Sequence, residues 1–154
     1  MKALVGAIAI CIALSPTVVQ AQQNAGATAS GQSLEDLDRS IRLDPKNAVA
    51  FNERGQLHLR MGQPDRAVAD FDAVVSLLPA SETARHNRGM AYLFLGDFPK
   101  AIADFDEALR IDPNRADTYQ NRGVAHVRTG ALDKAIADFN EAILRKPTAN
   151  SYNS

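Results

Sequence analysis

Residues 82–115 read ETARHNRGMAYLFLGDFPKAIADFDEALRIDPNR, and the rest of the chain is organised around copies of this pattern. The first half ends at Gly96 and the second half ends before Pro113, which predicts two helices joined by a tight glycine turn. In the second half, apolar residues recur at three- and four-residue spacing, as on the buried face of an amphipathic helix. These apolar residues are Ile102, Phe105, Ala108 and Leu109.

Five features of this stretch recur along the chain with a period of 34 residues. Chance does not align five independent features, so the chain is predicted to consist of stacked copies of one helix pair. The recurring positions are the prolines Pro45, Pro79, Pro113 and Pro147; the Arg-Gly pairs Arg54-Gly55, Arg88-Gly89 and Arg122-Gly123; the turn glycines Gly62, Gly96 and Gly130; the alanines Ala67, Ala101 and Ala135; and the Asp-Phe pairs Asp70-Phe71, Asp104-Phe105 and Asp138-Phe139.

The period also predicts where the helices of each copy begin and end. Each first helix is expected to end just before a turn glycine, and each second helix to end before the next proline. The first helices are expected to begin near Ala48, Glu82 and Ala116, and the second helices near Asp65, Pro99 and Asp133.

Each first helix contains an internal glycine, which costs roughly 1 kcal/mol relative to alanine. A cost repeated three times at one position indicates a steric need, namely a close approach of the paired helix. The phenylalanines of the Asp-Phe pairs are expected to fill the space left by each missing side chain. The buried alanines are expected to mark the same close crossing.

The first 21 residues differ from the rest of the chain. Lys2 precedes an uncharged apolar run at residues 3–14, and Pro16 follows it. Val19 and Ala21 place small residues at the two positions that a signal peptidase reads. The apolar run is too short for a membrane anchor, because twelve residues span roughly 18 Å of a ~30 Å hydrocarbon core. The pattern predicts a cleaved signal and therefore an exported protein, periplasmic or, as the alternative, extracellular.

The chain resembles the tetratricopeptide repeat family in its 34-residue period, in its recurring glycines, alanines and phenylalanines, and in the proline that ends each repeat. Residues 1–21 resemble the signal of an exported bacterial-type member. The resemblance covers residues 48–147 as three full repeats, while residues 33–45 resemble the second helix and proline of a truncated repeat. It implies an all-α, right-handed superhelical solenoid of helix-turn-helix repeats. The predicted organisation is a signal at residues 1–21, a flexible linker at 22–32, a truncated repeat with a second helix only at 33–47, full repeats at 48–81, 82–115 and 116–149, and a tail at 150–154.

Composition and motifs exclude several classes of function. Seventeen basic and eighteen acidic residues give a net charge of −1, so nucleic acid is not an expected partner. A single cysteine excludes a disulfide framework and a cysteine-rich zinc site. His58 and His126 occupy one repeat position about 20 Å apart and are not expected to share a metal. No catalytic motif is present, so we expect no enzyme activity, catalytic residue, metal or cofactor.

Arginine precedes the internal glycine in every repeat, where the family usually has leucine. Each arginine is followed sixteen residues later by an aspartate, and the arginine fork suits a carboxylate. We expect a ladder of arginine–aspartate pairs joining helices, with Asn87 and Asn121 in the same network. The alternative is a row of free arginines that binds acidic ligands. The ladder residues are Arg54, Arg88, Arg122, Asp70, Asp104 and Asp138.

The resemblance implies that the first helices line a concave groove, which mixes amides and apolar side chains in a manner suited to a peptide or a partner helix. Family members that capture a chaperone's C-terminal carboxylate use a lysine and asparagine clamp. The comparable positions here hold no lysine, so that specificity is not implied. We call the predicted surface the groove face; its members are Val49, Asn52, Gln56, Arg60, His86, Met90, Phe94, Gln120, Val124 and Arg128.

The predicted function is therefore an exported, non-catalytic adaptor that holds a protein or peptide partner in the groove. No membrane association is expected after signal cleavage. The alternative is a self-associating structural protein, because the outer side of the last helix carries Ile136, Ile143 and Leu144 with no capping helix after it. We expect a homodimer through residues 133–146.

Overall fold

The structure, a computed structural model, describes residues 31–145, and the chain forms seven α-helices in that range. The predicted signal, residues 22–30 of the linker, and residues 146–154 lie outside the described residues. The helices are α1 (Leu34–Leu43), α2 (Ala48–Arg60), α3 (Pro64–Leu77), α4 (Glu82–Leu95), α5 (Phe98–Ile111), α6 (Ala116–Arg128) and α7 (Leu132–Arg145).

The second helices begin one residue earlier than the sequence predicts, at Pro64, Phe98 and Leu132. A proline fits the first turn of α3 and α5, because its missing N–H has no intrahelical partner to lose. The turn glycines adopt positive φ, as Gly96 does at 77°, and this confirms their predicted role in the tight turns.

The helices stack in chain order. Each helix packs on its neighbours in sequence, and α4 also contacts both α2 and α6. Between residues 31 and 145, no helix contacts a helix from a non-adjacent repeat. This is the contact pattern of a solenoid and confirms the all-α repeat fold. Within the same range, no helix is both long enough and apolar enough to cross a bilayer.

The internal glycines fit against the phenylalanines, as the sequence predicts. A Cβ added to Gly89 would lie 2.7 Å from Cε1 of Phe105, and the other two repeats give the same distance. Real Cβ atoms essentially never come that close to another heavy atom. The missing side chain is therefore what allows each phenylalanine ring to seat between paired helices.

The N-terminal half-repeat consists of α1 alone within the described residues. Ser33 caps α1, and Asp36 completes the reciprocal capping box. Leu37 is buried against Ala50 and Leu57 of α2. The half-repeat thus covers the N-terminal side of the first full repeat.

Candidate functional site

The groove face consists of one side of α2, α4 and α6, and its members differ in exposure. Val49 and Phe94 are apolar yet 67% and 64% exposed. Asn52, Gln56 and Met90 are half-buried. The surface therefore offers accessible apolar side chains together with amides. The other exposed members are Arg60, Gln120, Val124 and Arg128.

His86 does not belong to the exposed groove face, contrary to the prediction. It is only 6% exposed, because α6 packs on α4 and brings Thr118 within hydrogen-bond distance (Nδ1 to Oγ1, 2.7 Å). Its ring also packs on Phe105 at a centroid distance of 5.8 Å. Burial lowers the pKa of His86, and the nearby Arg115 charge lowers it further. The side chain is a buried link between two repeats.

Asn87 also departs from the prediction, because its amide does not join the arginine–aspartate pairs. Its Nδ2 donates to Oδ1 of Asn52 at 2.8 Å, which connects α4 to α2. Among the described residues, no hydrogen bond links Asn121 to those pairs either. Asn52 of the groove face is therefore held in place by a residue of the neighbouring first helix.

Among the open clefts that border the groove face, two lie next to its most exposed apolar residues, Val49 and Phe94. The first has a volume of about 200 Å³ and is mostly apolar; it lies between the first two full repeats. The second, of about 300 Å³, lies beside Phe94 and Pro64. Both could receive an apolar side chain of a bound peptide. The first cleft is lined by Ala48, Val49, Asn52, Val74, Leu78, Ser81, Thr83 and Ala84.

Each arginine of the predicted ladder is paired with two aspartates. In the middle repeat, Arg88 donates from Nε and Nη2 to both carboxylate oxygens of Asp104, at 2.8 and 2.6 Å. Its Nη1 donates to Asp72 of the preceding repeat at 2.8 Å. These carboxylates raise the pKa of the Arg88 guanidinium. The arginines are thus engaged in the structure and do not form a free basic row. The equivalent sets are Asp38–Arg54–Asp70 and Asp106–Arg122–Asp138.

Sequence reasoning missed the second aspartate of each set. Asp38, Asp72 and Asp106 lie sixteen residues before their arginines, with the same 34-residue period. That periodicity was the available signal. These aspartates extend the pairing from a single helix pair to a continuous connection between repeats.

The histidines near the ladder have structural contacts. His58 Nε2 lies 3.8 Å from Asp70 Oδ2, and His126 has the same relation to Asp138. His58 Nδ1 also lies 2.9 Å from Gln63 Oε1. Across residues 31–145, no group of three or more histidine, cysteine, aspartate or glutamate side chains could hold a metal ion.

Stacked helix pairs joined by ion pairs, with an amide and apolar surface along the first helices, define a helical-repeat solenoid. The sequence matches the tetratricopeptide repeat family over residues 30–82, 52–116 and 86–152. The chain belongs to that family.

Solved structures with a similar fold come from several sources. MamA from Desulfovibrio magneticus RS-1, residue 41 to the end, superposes with a TM-score of 0.71 at 24% identity, over 77% of this chain and 67% of that chain. The Arabidopsis OM64 TPR domain gives 0.64 at 28% identity, over 67% and 85%. The second TPR of Spaghetti (RPAP3), bound to the HSP90 peptide SRMEEVD, gives 0.63 at 25% identity, over 68% and 98%. No curated protein matches the sequence significantly.

Proposed function

We propose that this chain is an exported, non-catalytic scaffold that holds an extended peptide or a helix of a partner protein on its groove face. The observation that carries the proposal is the exposure of Val49 on α2 and Phe94 on α4, on a surface that also carries amides. Helix α4 packs on both α2 and α6, which makes this surface a rigid support. Exposed apolar side chains on a rigid support are suitable anchors for a partner. The similar RPAP3 domain, solved with a bound peptide, supports this use of the fold.

The expected partner is not an acidic C-terminal peptide of the kind bound to RPAP3. The positions comparable to the family's clamp contain no lysine, and one of them, His86, is buried and lacks access to a ligand. The ladder arginines are occupied by aspartates. A segment with one or two apolar side chains for the clefts, and a backbone that pairs with Asn52, Gln56 and Gln120, fits better.

Export and a periplasmic location are part of the proposal and rest on the sequence of residues 1–21. Expression with and without a substitution that blocks cleavage at Ala21 tests them. We expect the protein recovered from the periplasm to have the mass of the chain without residues 1–21. Recovery of the full-length mass from the cytoplasm alone would contradict the location.

The groove proposal is tested by cross-linking capture from the exporting compartment, with the partners identified by mass spectrometry. The test variant is Val49→Glu with Phe94→Glu, because both side chains are exposed and the fold should tolerate their replacement. We expect at least a ~10-fold loss of the captured partner, since each glutamate would have to be desolvated in the complex.

The matched control is Leu43→Glu, which alters an 80% exposed apolar residue on α1, a helix that contributes no residue to the groove face. We expect it to capture the partner as the unmodified chain does, and circular dichroism should give equal helix content for all three proteins. Equal capture by the groove variant and the control would exclude the groove face as the binding surface.

A further inference from the structure

The last repeat exposes an apolar surface that the two earlier full repeats cover. We call it the end face; it consists of Val124, Val127, Ile136, Phe139 and Ile143. At the equivalent positions of the two earlier repeats, every side chain is buried or half-buried, whereas four of the five are exposed in the last repeat. Ile143 is 67% exposed and its equivalent Leu109 only 7%. Leu144 is also exposed, but so are its equivalents Ser76 and Arg110, so it lies outside the end face.

The difference follows from the stacking order. Helix α4 packs on α2 and α3, and α6 packs on α4 and α5, whereas α7 packs on α6 alone among the described helices. The end face is where a further first helix would lie. A contiguous apolar surface of this kind marks an interaction site in a globular protein.

The end face differs from the covered surfaces in one charged position. At the place where Asp38, Asp72 and Asp106 receive the arginine of the next first helix, the last repeat has Asn140. A like repeat would bring an arginine that finds no carboxylate here. A second copy of the end face would instead bring its own Asn140. Two such amides can donate to and accept from each other, whereas two aspartates would repel each other.

The opposite end of the solenoid offers no matching surface for a head-to-tail contact. Leu37 of α1 is 1% exposed, and Leu34 and Ile41 are half-buried beside it. The apolar side of α1 is therefore already used within the chain. The surface that complements the end face best is another end face.

We propose that the end face is the contact surface of a two-fold homodimer, in which α6 and α7 of one copy pack on α6 and α7 of a second. Two helices of 13 and 14 residues cover about 20 Å by 20 Å. That footprint of ~400 Å² per copy is about half the ~800 Å² that each partner buries in a standard interface. The dimer is therefore weak and depends on protein concentration. The end face shares Val124 with the groove face. Its test is nevertheless distinct from that of the proposed function, because Ile143 lies outside the groove face and Val49 and Phe94 lie outside the end face.

Sedimentation velocity of the full chain, from low to high micromolar concentration, tests the proposal. We expect the mass to rise from monomer to dimer and to stop there. Ile143→Glu should weaken the dimer at least ~10-fold, because two-fold symmetry buries two copies of the charge. Asn140→Asp should weaken it several-fold at neutral pH, and Leu43→Glu, at an exposed site on α1, should leave it unchanged.

Circular dichroism confirms that each variant is folded before its mass is compared. A monomer at every concentration would overturn the proposal and point to an end face covered by the chain itself or by another protein. Self-association that Ile143→Glu leaves intact would place the contact elsewhere, for example in the apolar residues 3–14. Open-ended oligomers, or an unaffected Asn140→Asp dimer, would overturn the two-fold arrangement.

Discussion

The glycine and phenylalanine of each repeat form one packing unit. The ring of Phe105 is fully buried and occupies the volume that a side chain at Gly89 would need. A buried ring has no alternative position to move to, because protein interiors are close-packed. The helix therefore keeps a residue that its own propensity disfavours.

We predict that Gly89→Ala destabilises the protein by about 1–2 kcal/mol, although alanine is the better helix former. Adding Phe105→Leu, which removes ring atoms from the clash, should make the double variant at least ~1 kcal/mol more stable than the sum of the two single changes. Urea unfolding of the four proteins measures this coupling. A stabilised Gly89→Ala, or strictly additive effects, would contradict the close packing.

The burial of His86 makes the stability of the fold depend on pH. The lowered pKa means that the unfolded chain takes up a proton on His86 more readily than the folded chain. The groups around it are Arg115, Asp117 and Glu82. The acid Asp117 has a lowered pKa, below its ordinary value of 3.8, and so titrates at more acidic pH.

We therefore predict that the free energy of unfolding falls as pH decreases below about 6.5, the ordinary pKa of histidine. The contribution of His86 is fully present above that value, and its slope cannot exceed about 1.4 kcal/mol per pH unit. In His86→Gln the slope between about pH 6.5 and pH 5 should be smaller. Chemical denaturation across this range measures it, and parallel curves for the two proteins would refute the assignment.

The arginine–aspartate sets connect one helix to two others. Asp104 is almost completely buried, with its side chain 7% exposed, whereas Asp72 is 51% exposed. A buried carboxylate is costly unless it is paired. Losing the inner pair, Arg88–Asp104, therefore costs more stability than losing the outer pair, Arg88–Asp72. The inner pair fixes the two helices of a repeat, and the outer pair adds a weaker link to the preceding repeat.

We predict that Arg88→Leu costs about 3–5 kcal/mol, since it leaves a buried carboxylate without its partner. Combining it with Asp104→Ala should recover part of that loss, because the unpaired charge is removed together with the arginine. Asp72→Asn, at the exposed partner, should cost less than ~1 kcal/mol. Urea unfolding compares the variants. Similar losses for Arg88→Leu and Asp72→Asn would show that burial does not control the strength of the pairs.

The whole molecule is held together by contacts between neighbours. Helices α4 and α5 have packing partners on both sides, whereas α1 and α7 each pack on one described helix. Stability in such a solenoid is close to a sum of repeat and interface contributions, so an end with one interface opens more easily.

We predict that amides of α7 exchange at least ~10-fold faster than amides of α5 in native-state hydrogen exchange at low protein concentration. Mass spectrometry of peptides from residues 132–145 and 98–111 measures the ratio. If the end face forms a dimer, exchange in α7 should slow at high concentration while exchange in α5 changes less. Equal exchange in both helices would show that the described repeats unfold as one cooperative unit.

The sequence was sufficient to predict the fold because every repeat forms the same turns and helix contacts with the same residues. The 34-residue period predicts the helix pairs, the turn glycines supply positive φ, and the Gly89–Phe105 contact follows from a costly residue repeated at one position. Pairing of Arg88 with Asp104 could also be predicted, because both recur at a constant distance. These properties are local, so a repeated pattern reveals them.

Which side chains are buried, and which residues they contact, depends on packing between repeats. His86 and Gln120 occupy the same repeat position, yet His86 is covered by α6 and Gln120 is exposed. Asn87 bonds to Asn52 because the neighbouring helix places that amide within reach. The exposure of a side chain and the identity of its partner depend on which residues the next helix brings. Periodicity along one chain does not contain that information.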